Sequence, residues 1–218
     1  AGPVRTGART HTLAIYRNVG GNFSAAPENI AQQVGTATLS FTSCADALLG
    51  YAFTEGSARS GNIALKRATP NLTCAIGPSP PSNADFQFSG FWSDPALSGQ
   101  GAFVEVNNAI PLAFLAWYTY APDGQGAGAS GQRWYTGQAA YVSGAREATF
   151  TLYETTGGVF NAGTPVPGTV AVGSAVLRWT DCAHAQLVYA FNAGSNAGRN
   201  GTIALARTGA TPSGCFSP

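Results

Sequence analysis

Few residues of this 218-residue chain carry side chains suited to proton transfer: two histidines, His11 and His184, and ten carboxylates. Thr180-Asp181-Cys182-Ala183-His184 sets a carboxylate and an imidazole on one tight turn. That is the base-and-orienter part of a nucleophilic site, which also needs a nucleophile at fixed geometry; a turn histidine is more commonly a surface residue. Asp94 and Glu105 are the candidate pair for glycoside hydrolysis, yet Asp94-Pro95 reads as a turn starter and Glu105 as a lone strand carboxylate. No two-histidine metal spacing exists, and an oxygen-rich cation site would draw on scattered Asp94, Glu105 and Asp123. Gly99-Gln100-Gly101 and the Gly124–Gly128 run lack the strand-to-helix setting of a phosphate loop. The expectation is a non-catalytic protein without metal or cofactor, with a hydrolase as a distant third reading.

Composition narrows the partners. Charged residues are 10% of the chain, hydrophobic residues 44%, and the formal net charge is +1. Without basic clusters, nucleic acid is not an expected partner. Apolar stretches such as Pro111–Trp117 fall far short of the roughly 18 residues a membrane helix needs, so no membrane insertion is expected. Gly (28) and Pro (13) point to many turns. The absence of an initiator Met marks residue 1 as a processed or truncated start. Cys44, Cys74, Cys182 and Cys215 form no Cys-x-x-Cys pair; even number and wide spacing favour two structural disulfides over four buried thiols. An oxidising setting follows, with the protein secreted, extracellular or on the cell surface.

What must position these residues is a duplication. Val34–Ser57 aligns with Val172–Ser195 at 14 of 24 identical positions, including Cys44 with Cys182 and both Tyr-Ala-Phe triplets. The match continues through Gly61–Leu65 against Gly201–Leu205. It also reaches back through His11–Tyr16 and Gly20-Gly21-Asn22-Phe23 against Ala148–Tyr153 and Gly157-Gly158-Val159-Phe160. The second copy has a long front segment, Asp85–Val142, without counterpart in the first. The chain therefore divides into the C-terminal half of a repeat (1–77), a Pro/Ser linker (78–83) and one complete repeat (84–218).

The complete repeat reads as eight strands: Phe86–Ser93, Gly101–Asn107, Leu112–Ala121, Arg133–Val142, Glu147–Thr155, Gly173–Asp181, Ala185–Asn192 and Gly201–Thr208. The half-repeat reads as four, near 11–20, 35–43, 47–55 and 61–69. The fold class is all-β, with an up-and-down antiparallel barrel favoured because closure removes edges, and a two-sheet sandwich as the alternative. In an eight-strand meander, the turn between strands six and seven and the exit of strand eight share a barrel end. Cys182 and Cys215 occupy those places, and Cys44 and Cys74 their counterparts, so the expected pairs are 44–74 and 182–215.

Gly90-Phe91-Trp92, with Arg207 near the end of the last strand, resembles the calycin signature of lipocalins, fatty-acid-binding proteins and avidins. That resemblance implies an Arg guanidinium packed across the Trp indole and donating to backbone carbonyls, a lock on the barrel end. The longer pattern Gly90-Phe91-Trp92-Ser93-Asp94-Pro95…Ser98-Gly99-Gln100-Gly101, followed by Trp117-Tyr118 and Trp134-Tyr135, resembles an uncharacterised β-repeat of secreted bacterial proteins. It implies secretion and repetition, and transfers no catalytic residue.

Two functional expectations come out of this layout. The half-repeat keeps Arg67 at the place of Arg207 and leaves an open apolar face bearing Leu13, Ile15, Leu39, Phe41, Tyr51 and Phe53. Strands of another chain, or of an upstream fragment of the same precursor, would complete it by strand addition, possible outcomes including a filament. Packing of 1–77 as an open sheet within a monomer is the plainer alternative. The other expectation is a ligand module, in which Trp117, Tyr118, Tyr120, Trp134 and Tyr135 form a barrel-mouth pocket for a small apolar molecule or an aromatic platform for a glycan, against the plain reading of these rings as core.

Overall fold

The computed structural model of the chain describes residues 7–24, 30–56, 58–69, 84–97, 99–108, 110–122, 131–212 and 215. The described strands are β1 (Thr10–Val19), β2 (Ile30–Phe41), β3 (Asp46–Phe53), β4 (Ser60–Lys66), β5 (Gly90–Ser93), β6 (Gly101–Asn107), β7 (Leu112–Tyr120), β8 (Gln132–Ala140), β9 (Glu147–Thr156), β10 (Gly168–Trp179), β11 (His184–Phe191) and β12 (Asn200–Arg207). Strands β1 to β4 form one sheet in sequence order, and β5 to β12 close into an antiparallel eight-stranded barrel. A closed barrel, rather than the alternative sandwich, is what the repeat builds.

Alternation explains the barrel wall. On β9, Ala148, Phe150 and Leu152 are buried while Thr149, Thr151 and Tyr153 are exposed. Ala175, Leu177 and Trp179 of β10 fill the same interior. Each buried Leu or Phe contributes about 1.5–3 kcal/mol through loss of apolar surface to water, so the seam-to-seam continuity of this interior is the main source of stability.

The duplication is retained in detail. β1 and β2 slip register at Ile15/Tyr16, passing over Val34, and β9 and β10 slip at the equivalent Val172. Both valines are buried. In each copy the glycine after the bulge, Gly35 or Gly173, lies against a backbone carbonyl of the neighbouring strand, Ala52 or Ala190, leaving no room for a Cβ. The turns match too: Thr42 and Ser43 N–H donate to Asp46 O, as Thr180 and Asp181 N–H donate to His184 O.

One expectation changes. The expected first strand, Phe86–Ser93, is a 3-10 turn over Ala84–Phe88 followed by the short β5. Asp85 holds that turn, its Oδ2 accepting from Asn108 Nδ2 (2.8 Å), Ser143 Oγ (2.8 Å) and Gly144 N–H (2.9 Å). Phe88 then stacks on Trp179 at 4.8 Å and stoppers that end of the barrel. Strands β1–β4 group as one compact unit, and residues 20–24, between β1 and β2, group with the barrel.

Cys182 and Cys215 form a disulfide with Cα atoms 6.1 Å apart. Cys44 is also disulfide-bonded; its expected partner Cys74, the 78–83 linker and Asp123 lie outside the described residues. The Cys182–Cys215 bond closes a loop across a separation of 33 residues, worth about 3–4 kcal/mol in the chain-entropy description. Replacing both cysteines by serine should lower the unfolding free energy by that amount in denaturant titration, without altering the far-UV circular dichroism.

Candidate functional site

The barrel ladders differ in length: β10–β11 runs from Gly173–Phe191 to Trp179–Ala185, whereas the short β5 makes only the Gly90–Val104, Phe91–Phe103 and Trp92–Ala102 pairs with β6. The β12–β5 seam has only the Ala206–Ser93 and Arg207–Trp92 pairs, and the β8–β9 seam runs from Tyr135–Glu154 to Gln138–Thr151. Side chains reinforce the shorter one. Arg207 Nε donates to Cys182 O (2.6 Å), Nη1 to Ser89 O (2.9 Å) and Nη2 to Gln87 O, while its guanidinium carbon lies 4.5 Å over the Trp92 ring. Trp92 Nε1 in turn donates to Phe88 O at 3.0 Å. Gly90 adopts φ +139°, and a Cβ there would press on Arg207 Nη1 at 2.7 Å. Glycine two residues before the tryptophan therefore makes space for the guanidinium. Desolvation by burial lowers the Arg207 pKa from its usual value.

The opposite end of the barrel carries a different stopper. Phe23 is buried there, with ring contacts to Tyr189 (5.5 Å), Trp117 (5.9 Å) and Phe191 (6.2 Å), and Arg199 lies 5.4 Å over its face. Ser24 N–H donates to Gln100 Oε1 (2.9 Å), which also accepts from Thr119 Oγ1 (2.6 Å). Gly21 is pressed so closely on the Tyr120 ring that a Cβ would overlap it. Sequence reasoning aligned Gly20-Gly21-Asn22-Phe23 with the second copy but assigned it no role. An aromatic following two glycines in a loop, present in both copies, was the available signal.

Four of the five aromatics of the expected platform separate by strand parity, and Trp117 and Tyr135 belong to the buried interior. Tyr120 shares the face of Tyr118 by parity and is buried with Gly21 against its ring. Tyr118 and Trp134 lie on the outer wall, edge to face at 6.5 Å, beside Phe91 and Phe103. Trp134 is 63% exposed and Phe103 54%. Burial against its neighbours pushes the Tyr118 phenol up to about 12. Among the described residues, a partly open pocket lined by Ser24, Gln100, Trp117 and Leu187 holds about 10 Å3, about the space of one water and far below the roughly 300 Å3 of a ligand pocket.

On the separate four-stranded sheet, Leu13, Ile15, Leu39, Tyr51 and Phe53 are half-buried, and Phe41 and Arg67 are exposed. Of their barrel counterparts, Phe150, Leu152, Leu177, Trp179 and Phe191 are buried, while Tyr189, the counterpart of Tyr51, is half-buried like it. An open groove of about 310 Å3 runs along Leu39, Phe41, Ala47, Leu65 and Arg67. The matching barrel surface is where Phe88 stacks on Trp179 and Trp92 lies under Arg207.

The hydrolytic candidates take structural places. Asp181 Oδ1 accepts from Ala183 N–H (2.6 Å) and His184 N–H (2.8 Å), and His184 Nδ1 lies 2.9 Å from Oδ2 on an exposed turn. The side-chain bond with His184 is the main cause holding Asp181 below the usual carboxylate range. In the first copy Ser43 Oγ accepts from Ala45 and Asp46 N–H at the same turn, so the position caps a turn in either form. Asp94 Oδ1 accepts from Ala96 N–H, another turn cap, and Glu105 faces outward from β6 between buried Val104 and Val106. Among the described residues no cluster of three or more His, Cys, Asp or Glu side chains could hold a metal.

The seam makes a direct prediction. Trp92→Ala should cost about 3–5 kcal/mol, as for other large buried aromatics. Arg207→Met should cost about 2–4 kcal/mol, because three carbonyls lose a charged donor. Arg207→Lys should recover little of that, since one ammonium cannot span the three acceptors. Chemical denaturation of the three variants measures this; an Arg207→Lys protein as stable as the parent would contradict it.

Comparison of the chain with protein-family models, with curated proteins and with solved structures returns no match.

Proposed function

We propose that the protein is a secreted, non-catalytic assembly subunit, whose half-repeat is completed by strands of the β5–β8 kind from another chain, either a like chain or a fragment of the same precursor. The observation that carries this reading is the groove at Leu39, Phe41 and Arg67. Its lining residues Leu39, Phe41, Ala47, Leu65 and Arg67 are the repeat counterparts of Leu177, Trp179, Ala185, Leu205 and Arg207, where in the barrel Phe88 stacks on Trp179 and Arg207 lies over Trp92. β1 and β4 are the outer strands of their sheet, and such edges are templates for strand addition. The disulfide accords with an oxidising location, and no helix is long and apolar enough to cross a membrane among the described residues.

Light scattering of source-derived protein, with negative-stain imaging, tests it. The reading expects a mass above the 22.2 kDa of one chain, as oligomers or filaments, and expects Phe41→Asp to reduce that mass towards the monomer. A monodisperse monomer at high concentration would contradict it.

A second reading is favoured by the outer aromatic group. Phe91, Phe103, Tyr118 and Trp134 line one stretch of the outer wall, a surface suited to stacking on sugar faces. It supports glycan binding outside the barrel, whereas the filled interior offers no such support for a small apolar ligand. Titration with soluble oligosaccharides should change tryptophan fluorescence in the parent and not in Trp134→Ala; equal responses, or none in the parent, would remove this reading.

A further inference from the structure

An open groove of about 330 Å3 lies on the outer wall where β8 meets β9, lined by Thr136, Gly137 and Gln138 of β8, Thr151 and Tyr153 of β9, and Thr169 of β10. That volume falls within the roughly 300–1,000 Å3 of small-ligand sites. Register explains its form. Cross-strand pairing sets Phe103, Ala116, Thr136 and Tyr153 in one row across β6, β7, β8 and β9. Small side chains in the middle of the row make a floor, and an aromatic stands at each end, about 14 Å apart at three strand spacings. Trp134 and Gln138, the neighbouring outward residues along β8, flank that floor on its two sides. No charged side chain lines the groove. Main-chain groups of β8 and β9 lie in ladders on both sides there, which leaves no edge for a peptide strand to join. The half-repeat lacks the arrangement. It keeps Tyr16 at the place of Tyr153, but Ala14 and Ala31 stand at the places of Thr151 and Thr169.

We propose that this trough is a binding site for a neutral oligosaccharide, lying across the strands from Phe103 over Ala116 and Thr136 to Tyr153. The proposal rests on the glycan reading of the outer aromatic group, and adds the class of sugar and the polar residues that recognise it. Sugar rings offer apolar faces for stacking on Trp134 and Tyr153. Their hydroxyls both donate and accept, as do the threonine hydroxyls and the Gln138 amide. An acidic sugar would give up the hydration of its carboxylate with no cation in the lining to compensate. Phe103 and Tyr153 are reached together only by a chain of several sugars, so affinity rises with length. Because the lining comes from β8 as well as β9 and β10, the site belongs to a complete repeat.

Calorimetric titration of the full chain tests this, with disaccharides and hexasaccharides of β-linked glucose, mannose and N-acetylglucosamine, and with an oligogalacturonate as the acidic probe. At least one neutral hexasaccharide should bind more tightly than its disaccharide, and the oligogalacturonate should not bind. Gln138→Ala combined with Thr151→Ala removes two exposed side chains and leaves the barrel interior untouched. That double variant should weaken hexasaccharide binding about tenfold, and Tyr153→Ala by a similar factor. Trp134→Ala reports on the glycan reading itself. Hexasaccharide binding that is lost in Trp134→Ala but unchanged in the double variant and in Tyr153→Ala would overturn the trough and leave that reading standing. No binding of any neutral probe by the parent would overturn both, and equal binding of the acidic probe would overturn the proposal alone.

Discussion

The Arg207 guanidinium is the constraint on which the barrel depends. The closing seam between β12 and β5 has a ladder of only two residue pairs, with Thr208 N–H donating to Phe91 O beside it. One planar cation bridges it, reaching carbonyls on the 3-10 turn, before β5 and on the β10–β11 turn while covering Trp92. A guanidinium suits this role because its fork offers several donors in fixed directions and its flat face stacks on an indole. Gly90, Phe88 and Asp85 are arranged around that need: one leaves space for the cation, one stoppers the barrel beside it, and one anchors the turn that supplies the acceptors.

The same four-stranded sheet occurs twice under different conditions. In β9–β12 the inward row of apolar side chains meets the β5–β8 half and is buried. In β1–β4 an equivalent row, with the same bulge, the same turns and the same terminal arginine, lies half-covered along a groove. The half-sheet thus takes the same form in both copies, while burial of its inward face differs between them. The proposed role of the half-repeat as a joining element rests on that difference.

Much of this architecture was legible in the sequence. Fourteen identities in 24 positions placed the strands, and alternation along β9 and β10 identified their inward faces. The residues that escaped did so for physical reasons. Trp117-Tyr118 and Trp134-Tyr135 are adjacent pairs, so one member of each must face out; cross-strand register, which pairs Trp117 with Tyr135 and Tyr118 with Trp134, decides which. The Ala84–Phe88 turn has the apolar content of a strand, and only the long-range bonds of Asp85 bend it. Phe23 lies in a loop without periodicity, and its burial depends on rings more than ninety residues away. Of the candidate joining device, the sequence revealed the arginine and the apolar row but not the groove between them.

Hydrogen exchange followed by mass spectrometry, over a range of protein concentrations, tests most directly whether the half-sheet is completed by another chain. The account predicts that edge amides of β1 and β4 become protected as concentration rises, approaching the protection of their counterparts in β9 and β12. Fast exchange of β1 and β4 edges at every concentration, beside stable protection of β9 and β12, would contradict it.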